Sequence, residues 1–199
     1  MSAAAVERPH VGKLPSLLEE AEKLTHLLPG HRVEILGGNL TVTPPADGSH
    51  AESLTNLTFA FAPAHQGGTR VAQAIGLWLP DGPEDYAVPD LAVVDADYRD
   101  HLIEANCYDP AIFRLVVEVT SSNYATDLRT KVAAYAVAKV PVYVIVDRRA
   151  ERIHVLTDPF ANEYNHHELH AAGQHVTLPD SIGAEVTLDV GAILEAARP

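Results

Sequence analysis

Residues 113–147 read FRLVVEVTSSNYATDLRTKVAAYAVAKVPVYVIVD, and the pattern of this stretch decides the fold. Phe113 to Thr120 is a short apolar run rich in β-branched residues. The turn formers Ser121, Ser122 and Asn123 bound it, which fits a buried strand. Asn123 to Lys139 has helical spacing, with Leu128, Val132 and Tyr135 near one face and Ala in most gaps. Pro141 stops that helix, and Val142 to Val146 is a second buried strand ending at Asp147. Such a β-α-β unit joins two parallel strands of a sheet covered by helices. One charge, Glu118, interrupts the first strand. A buried carboxylate is costly unless it is paired, hydrogen-bonded or holding a metal.

Upstream, Ser16 and Glu19 form a capping-box pattern before Leu17, Leu18, Ala21, Leu24 and Leu28, and Pro29-Gly30 ends that helix. A hairpin follows: Arg32 to Leu36, a Gly37-Gly38-Asn39 turn, then Leu40 to Thr43. Ser49 and Glu52 suggest a second capping box, opening a helix that carries Leu54, Leu57, Phe59 and Phe61. Thr69 to Leu79 reads as one strand and Leu91 to Val94 as another, and the acidic segment from Asp95 to Pro110 as loop with some helix. Downstream the pattern turns antiparallel, with strands at Arg152–Leu156, Glu163–His170, His175–Thr177 and Val186–Leu188. A short helix from Gly191 to Ala197 closes the chain. The fold class is α/β in the mixed α+β sense, with residues 1–12 as a loose tail and 13–199 as one domain.

The 199 residues carry a net charge of −13, which repels nucleic acid in bulk. The charge is uneven. Ile75 to Pro110 holds nine acids and one base, whereas Arg129 to Arg152 holds six bases and two acids. The single cysteine, Cys107, excludes an internal disulfide and a multi-cysteine metal site. No apolar stretch is long enough to span a membrane and no signal peptide is visible, so cytoplasmic location is the default. No GxSxG elbow or phosphate-loop pattern is present. His166, His167, His170 and His175 lack a complete zinc ligand set and read as an exposed edge strand.

Asp90 starts one short apolar strand and Glu118 lies late in the next. Neighbouring strands would bring both carboxylates to one end of the sheet, a hard-oxygen site suited to Mg²⁺ or Mn²⁺. Lys131, on the following helix, is placed to lean back over that strand end, and Asp127 lies one helical turn before it. The competing reading pairs Glu118 with a buried Arg or Lys, Arg114 being nearby in sequence, and Lys131 with Asp127 as a surface ion pair.

Pro89-Asp90, Glu118-Val119-Thr120, Asp127 and Lys131 together resemble the PD-(D/E)XK nuclease superfamily. More closely, the chain resembles the Uma-two-type restriction endonuclease family, a bacterial family long carried as a domain of unknown function. Residues 33–40 (VEILGGNL), His50, VPDLAVV, LVVEVTSSN, DLRTK and YAVAKVPVYVIVD carry that likeness. It implies a restriction-endonuclease-like core, a mixed β-sheet flanked by helices, with Asp90 and Glu118 as ligands of Mg²⁺ or Mn²⁺. The superfamily usually has Lys two residues after the acidic ligand, where this chain has Thr120. The resemblance implies that Lys131 takes that place, with Glu34, His50, Thr120 and Asp127 as additional candidates. The implied activity is metal-dependent hydrolysis of a nucleic-acid phosphodiester, DNA first, by a homodimer. The alternative is a catalytically inactive nuclease-fold module that binds nucleic acid or protein. A structural homo-oligomer joined through exposed strands is a third reading.

Overall fold

The computed structural model describes residues 15–120 and 126–198, with the side chains of Thr126 and Asp127 excepted. The expected tail, the turn at residues 121–123, the first residues of the expected central helix and the Asp127 side chain therefore lie outside the described residues.

Helix α1, Leu17–Leu27, begins as its sequence dictates. The Ser16 hydroxyl accepts from the Glu19 N–H at 3.2 Å while Glu19 Oε2 accepts from the Ser16 N–H at 3.1 Å. The hairpin strands are β1, Arg32–Leu36, and β2, Asn39–Thr43. Their two-residue turn places Gly37 and Gly38 at φ +57° and +70°, left-handed values that glycine adopts without a Cβ clash. Helix α2 spans Gly48–Ala60, and its cap differs from the sequence reading. Asp47, not Ser49, is the N-cap: its Oδ1 accepts from the His50 N–H at 2.8 Å. Leu57 and Phe61 are buried, but Phe59 is 74% exposed.

The run expected as one strand from Thr69 to Leu79 is two, β3 at Thr69–Gln73 and β4 at Gly76–Trp78. Ala74 breaks it with φ +52°, and the chain leaves one sheet for another. Three further short strands are β5, Tyr86–Ala87, β6, Leu91–Asp95, and β7, Leu102–Glu104. After β8, Cys107–Tyr108, comes β9, Phe113–Val119. Thus the acidic segment expected as loop with some helix contributes β7 and β8 as well as a 3-10 turn at Tyr98–His101, and a second 3-10 turn, Pro110–Ile112, begins at its end. A π-helical turn at Thr126–Thr130 leads into α3, Lys131–Val137. The remaining elements are β10 (Val142–Asp147), β11 (Arg152–Phe160), β12 (Glu163–Ala171), β13 (His175–Thr177), β14 (Thr187–Asp189) and α4 (Val190–Ala196).

Two mixed six-stranded sheets result. One has the order β2-β1-β5-β4-β8-β7 and the other β12-β11-β10-β9-β6-β3. In the second, β9 and β10 run parallel, as their helical crossover requires, and β6 pairs antiparallel with β9. Alternation sends Leu115, Val117, Val119, Val142, Val144 and Val146 to the face packed with α2 and α4 residues. Val116, Tyr143 and Ile145 face the other way, toward Tyr135 of α3 and Leu36, Leu77 and Ala87 of the first sheet. Helix α1 covers the far side of that sheet through Leu18 and Ala21 against Val33 and Ile35. Each large apolar side chain buried in these layers stabilises the fold by about 1.5–3 kcal/mol. The fold is thus the mixed α+β arrangement of sheets flanked by helices that the pattern implied. Among the described residues no helix is long and apolar enough to cross a membrane.

Candidate active site

The register explains why two carboxylates meet. Leu91 pairs with Val117 across β6 and β9, so Asp90, just before β6, lies beside the residues just after Val117. Asp90 Oδ2 accepts the Val119 N–H at 2.7 Å. Glu118 points to the α3 face, the side opposite its apolar neighbours Val117 and Val119. There its Oε1 receives Lys131 Nζ at 2.8 Å and the Tyr135 hydroxyl at 2.8 Å. Lys131 and Tyr135 stand one helical turn apart, which points both donors at the same oxygen.

Strand β1 supplies two more charges from one face, Arg32 and Glu34. Glu34 Oε1 lies 3.0 Å from Lys131 Nζ and accepts the Val88 N–H at 2.8 Å. Arg32 bridges the carboxylates: Nη2 bonds Asp90 Oδ1, and Nη1 reaches Glu118 Oε2 at 3.3 Å. From α2, His50 Nε2 is 3.3 Å from Asp90 Oδ2. Glu34, His50, Asp90, Glu118 and Lys131 are all buried. Thr120 is buried too, but its hydroxyl donates to the Val146 carbonyl at 3.2 Å and accepts the Arg148 N–H at 3.0 Å. It ties β9 to the end of β10.

The two carboxylates are driven apart electrostatically. Burial opposes ionisation of Asp90, but His50, the Arg32 charge and the Val119 N–H outweigh it and hold this carboxyl well below the usual range. Burial prevails at Glu118 and pushes its carboxyl up, against the pull of Lys131 and Arg32 and with help from Asp90 and Glu34. Burial disfavours the charged form of Arg32, yet Asp90, Glu118 and Glu34 together keep it more firmly protonated than usual. Burial and the neighbouring Glu118 raise the Tyr135 hydroxyl well above 10, so it stays a donor. Titratable neighbours with diverging proton affinities are a mark of functional sites.

The cluster opens into a cleft of about 990 Å³. Arg32, Lys131, Arg148 and Arg149 line it together with Glu34, Asp47 and Glu118, so this cleft of an acidic chain gathers four basic side chains beside three carboxylates. His31 Nδ1, His50 Nδ1 and Arg148 Nη2 are buried there without a hydrogen-bond partner among the described residues. The Arg148 Nη2 donor in that state favours an acceptor on a guest, whereas the two imidazole nitrogens donate or accept according to tautomer. Among the described residues no three or more of His, Cys, Asp and Glu are grouped as a metal-binding set. Two convergent carboxylates still fit Mg²⁺ or Mn²⁺, because such ions take one or two protein carboxylates and complete their shell with water and phosphate oxygens.

Asp90, Glu118, Lys131, Glu34 and His50, all singled out from sequence, are therefore brought together, and Thr120 adjoins them. Glu118 does have basic partners, as the competing reading had it, but they are Lys131 and Arg32; Arg114 pairs with Asp95 instead. Sequence reasoning missed Arg32, Tyr135 as a donor, and Arg148. Arg32 carried a signal: it and Glu34 alternate as the charged residues of an otherwise apolar strand.

A family model described as "Putative restriction endonuclease", Uma2, matches residues 18–191. Among solved structures, the chain is similar to a crystal structure of "a putative nuclease belonging to DUF820" from Anabaena variabilis ATCC 29413. The TM-score is 0.67 and the sequence identity 15%, over 83% of this chain and 90% of that one. At that identity the likeness shows the fold. None of the curated proteins matches the chain.

Proposed function

Because the chain belongs to the Uma2 family, we propose that it is a metal-dependent nuclease of the PD-(D/E)XK type, hydrolysing phosphodiesters of nucleic acid, DNA first. The observation that carries this reading is the buried convergence of Asp90, Glu118 and Lys131 at one end of two adjacent strands. Asp90 and Glu118 would hold Mg²⁺ or Mn²⁺, which when bound supplies Lewis-acid stabilisation of the phosphate and acidifies a water.

The chain's own groups have distinct tasks. The Val119 N–H and His50 fix the Asp90 carboxylate, and Tyr135 and Lys131 fix that of Glu118. Lys131 places a positive charge beside the carboxylate pair, where charge grows on a phosphate under attack. It thus stands in for the lysine that Thr120 replaces. Arg148 and Arg149 on the cleft wall attract the flanking backbone, offsetting the repulsion of the acidic surface.

A second reading, a nuclease fold without catalysis, draws on Arg32, whose charge already compensates Asp90 and Glu118. Incubating plasmid and single-stranded DNA with Mg²⁺ or Mn²⁺ and the parent, Glu118→Gln and Lys131→Ala proteins separates the two. Cleavage by the parent alone supports the nuclease. Cleavage by all three discards this site, and none by the parent together with no Mn²⁺ uptake leaves the binding module.

A further inference from the structure

Each carboxylate of the pair has one oxygen committed inward. Asp90 Oδ2 holds the Val119 N–H at 2.7 Å, with His50 Nε2 at 3.3 Å. Glu118 Oε1 holds Lys131 and Tyr135, each at 2.8 Å. Among the described residues the other oxygen of each, Asp90 Oδ1 and Glu118 Oε2, is met by Arg32 alone. A planar guanidinium with parallel N–H groups suits such a bridge. Each of those oxygens keeps a second lone pair, but the Arg32 guanidinium spans both carboxylates from the cleft side, where a divalent ion held by the pair would also approach. A guanidinium and a divalent ion there would crowd and repel each other, so the two cations compete.

The two basic side chains of the cluster differ in freedom. The Lys131 side chain is 2% exposed and its ammonium is enclosed by Glu34 and Glu118. The Arg32 side chain is 25% exposed and lines the cleft. Arg32 can therefore turn outward on its long stem, whereas Lys131 cannot leave without a packing change.

We infer that Arg32 is a displaceable counter-ion of the Asp90–Glu118 pair, competing with the divalent cation for Asp90 Oδ1 and Glu118 Oε2, and on displacement presenting its guanidinium to a phosphate in the cleft. This rests on the metal-dependent reading of the site. Arg32 is accordingly a positioning residue, setting when the pair is open to a metal.

Mn²⁺ alone, titrated calorimetrically into the full chain without nucleic acid, tests it. Arg32→Gln is expected to bind Mn²⁺ about ten-fold more tightly than the parent, since one charge-assisted contact no longer has to be broken. Arg32→Lys, whose ammonium cannot bridge both oxygens in the same planar fashion, should fall between. In the parent, the Arg32 side-chain Nε–Hε resonance should shift on adding Mg²⁺, an observation that stands even if Arg32→Gln does not fold. Equal or weaker Mn²⁺ affinity in Arg32→Gln, or an Arg32 resonance unmoved at saturating Mg²⁺, overturns the inference. If affinity is equal in parent and Arg32→Gln but lost in Asp90→Asn, the metal site survives and only the competition falls. If no protein in the set takes up Mn²⁺, both fall.

Discussion

Lys131 Nζ lies 2.8 Å from Glu118 Oε1, joining the first turn of α3 to the middle strands of the sheet. The same ammonium lies 3.0 Å from Glu34 of β1, so one buried cation fastens both sheets and a helix at one point. Lys131→Met should leave two buried carboxylates without that partner and cost about 3–5 kcal/mol. Urea unfolding of parent and variant measures the loss, and a cost below about 1 kcal/mol would show that the pair is hydrated and exchangeable.

Tyr135 offers a gentler perturbation of the same oxygen. Tyr135→Phe removes the hydroxyl bond to Glu118 Oε1 and keeps the ring packed against Tyr143, whose centroid is 4.9 Å away. The expected destabilisation is about 1–3 kcal/mol, the cost of one lost hydrogen bond to a buried charged group. If the nuclease reading holds, cleavage falls as well, because Glu118 loses one of its two inner anchors. A variant with unchanged stability and unchanged activity would remove Tyr135 from the site.

Between about pH 7 and 5, acid sensitivity should arise away from the cleft, at His154, with the Asp90 carboxylate following only at lower pH. Burial and the neighbouring His167 lower its proton affinity below the ordinary imidazole value of 6.5, more than Asp147 raises it. His154 Nδ1 is 2.9 Å from His167 Nε2, and its Nε2 is 3.5 Å from Asp147 Oδ2. The unfolded chain then binds the proton more tightly than the folded one. The stability contributed by the neutral ring is complete above the unfolded value and is lost as pH falls through the lower folded value. Melting temperature followed between about pH 7 and 5 should fall more steeply for the parent than for His154→Gln. Parallel curves would contradict the assignment.

Cys107 should be chemically silent. Burial pushes its thiol up to about 12, and it packs under Gly76, where an added Cβ would come within 2.3 Å of its sulfur. The folded protein should resist iodoacetamide at neutral pH and react only after denaturant is added. Gly76→Ala should destabilise by about 1–3 kcal/mol through overpacking, read from the urea midpoint. Paired with Cys107→Ala, it should recover part of that loss.

Much of the site was legible because its spacing is local to recognisable elements. Asp90 opens a short apolar strand, Glu118 ends another, and Lys131 sits on the crossover helix. Local rules place such residues at strand and helix ends, and the antiparallel register of β6 with β9 does the rest. The second helix cap was misread because Ser49 and Glu52 match a local pattern as well as Asp47 does. The hydroxyl or carboxylate that caps a helix depends on where the chain enters it, and Asp47 is also drawn to Arg148 Nη1 at 2.9 Å, 101 residues away. The split at Ala74 was hidden for a related reason: an apolar run shows that a strand is buried but not which of two sheets buries it.

Sequence by itself determined the layered class of the fold, the parallel pairing of β9 with β10 and the order in which the charged residues arrive. These follow from periodicity, turn chemistry and the handed geometry of a β-α-β crossover, all of which act over a few residues. Only the tertiary structure decided which oxygen each donor takes. Arg32 reaches Glu118 across 86 residues and Asp90 across 58. No local preference encodes such a contact, because it depends on how two sheets pack and on the few directions in which a buried carboxylate can accept a hydrogen bond. That geometry leaves Asp90 Oδ1 and Glu118 Oε2 to Arg32 and the inward oxygens to the scaffold.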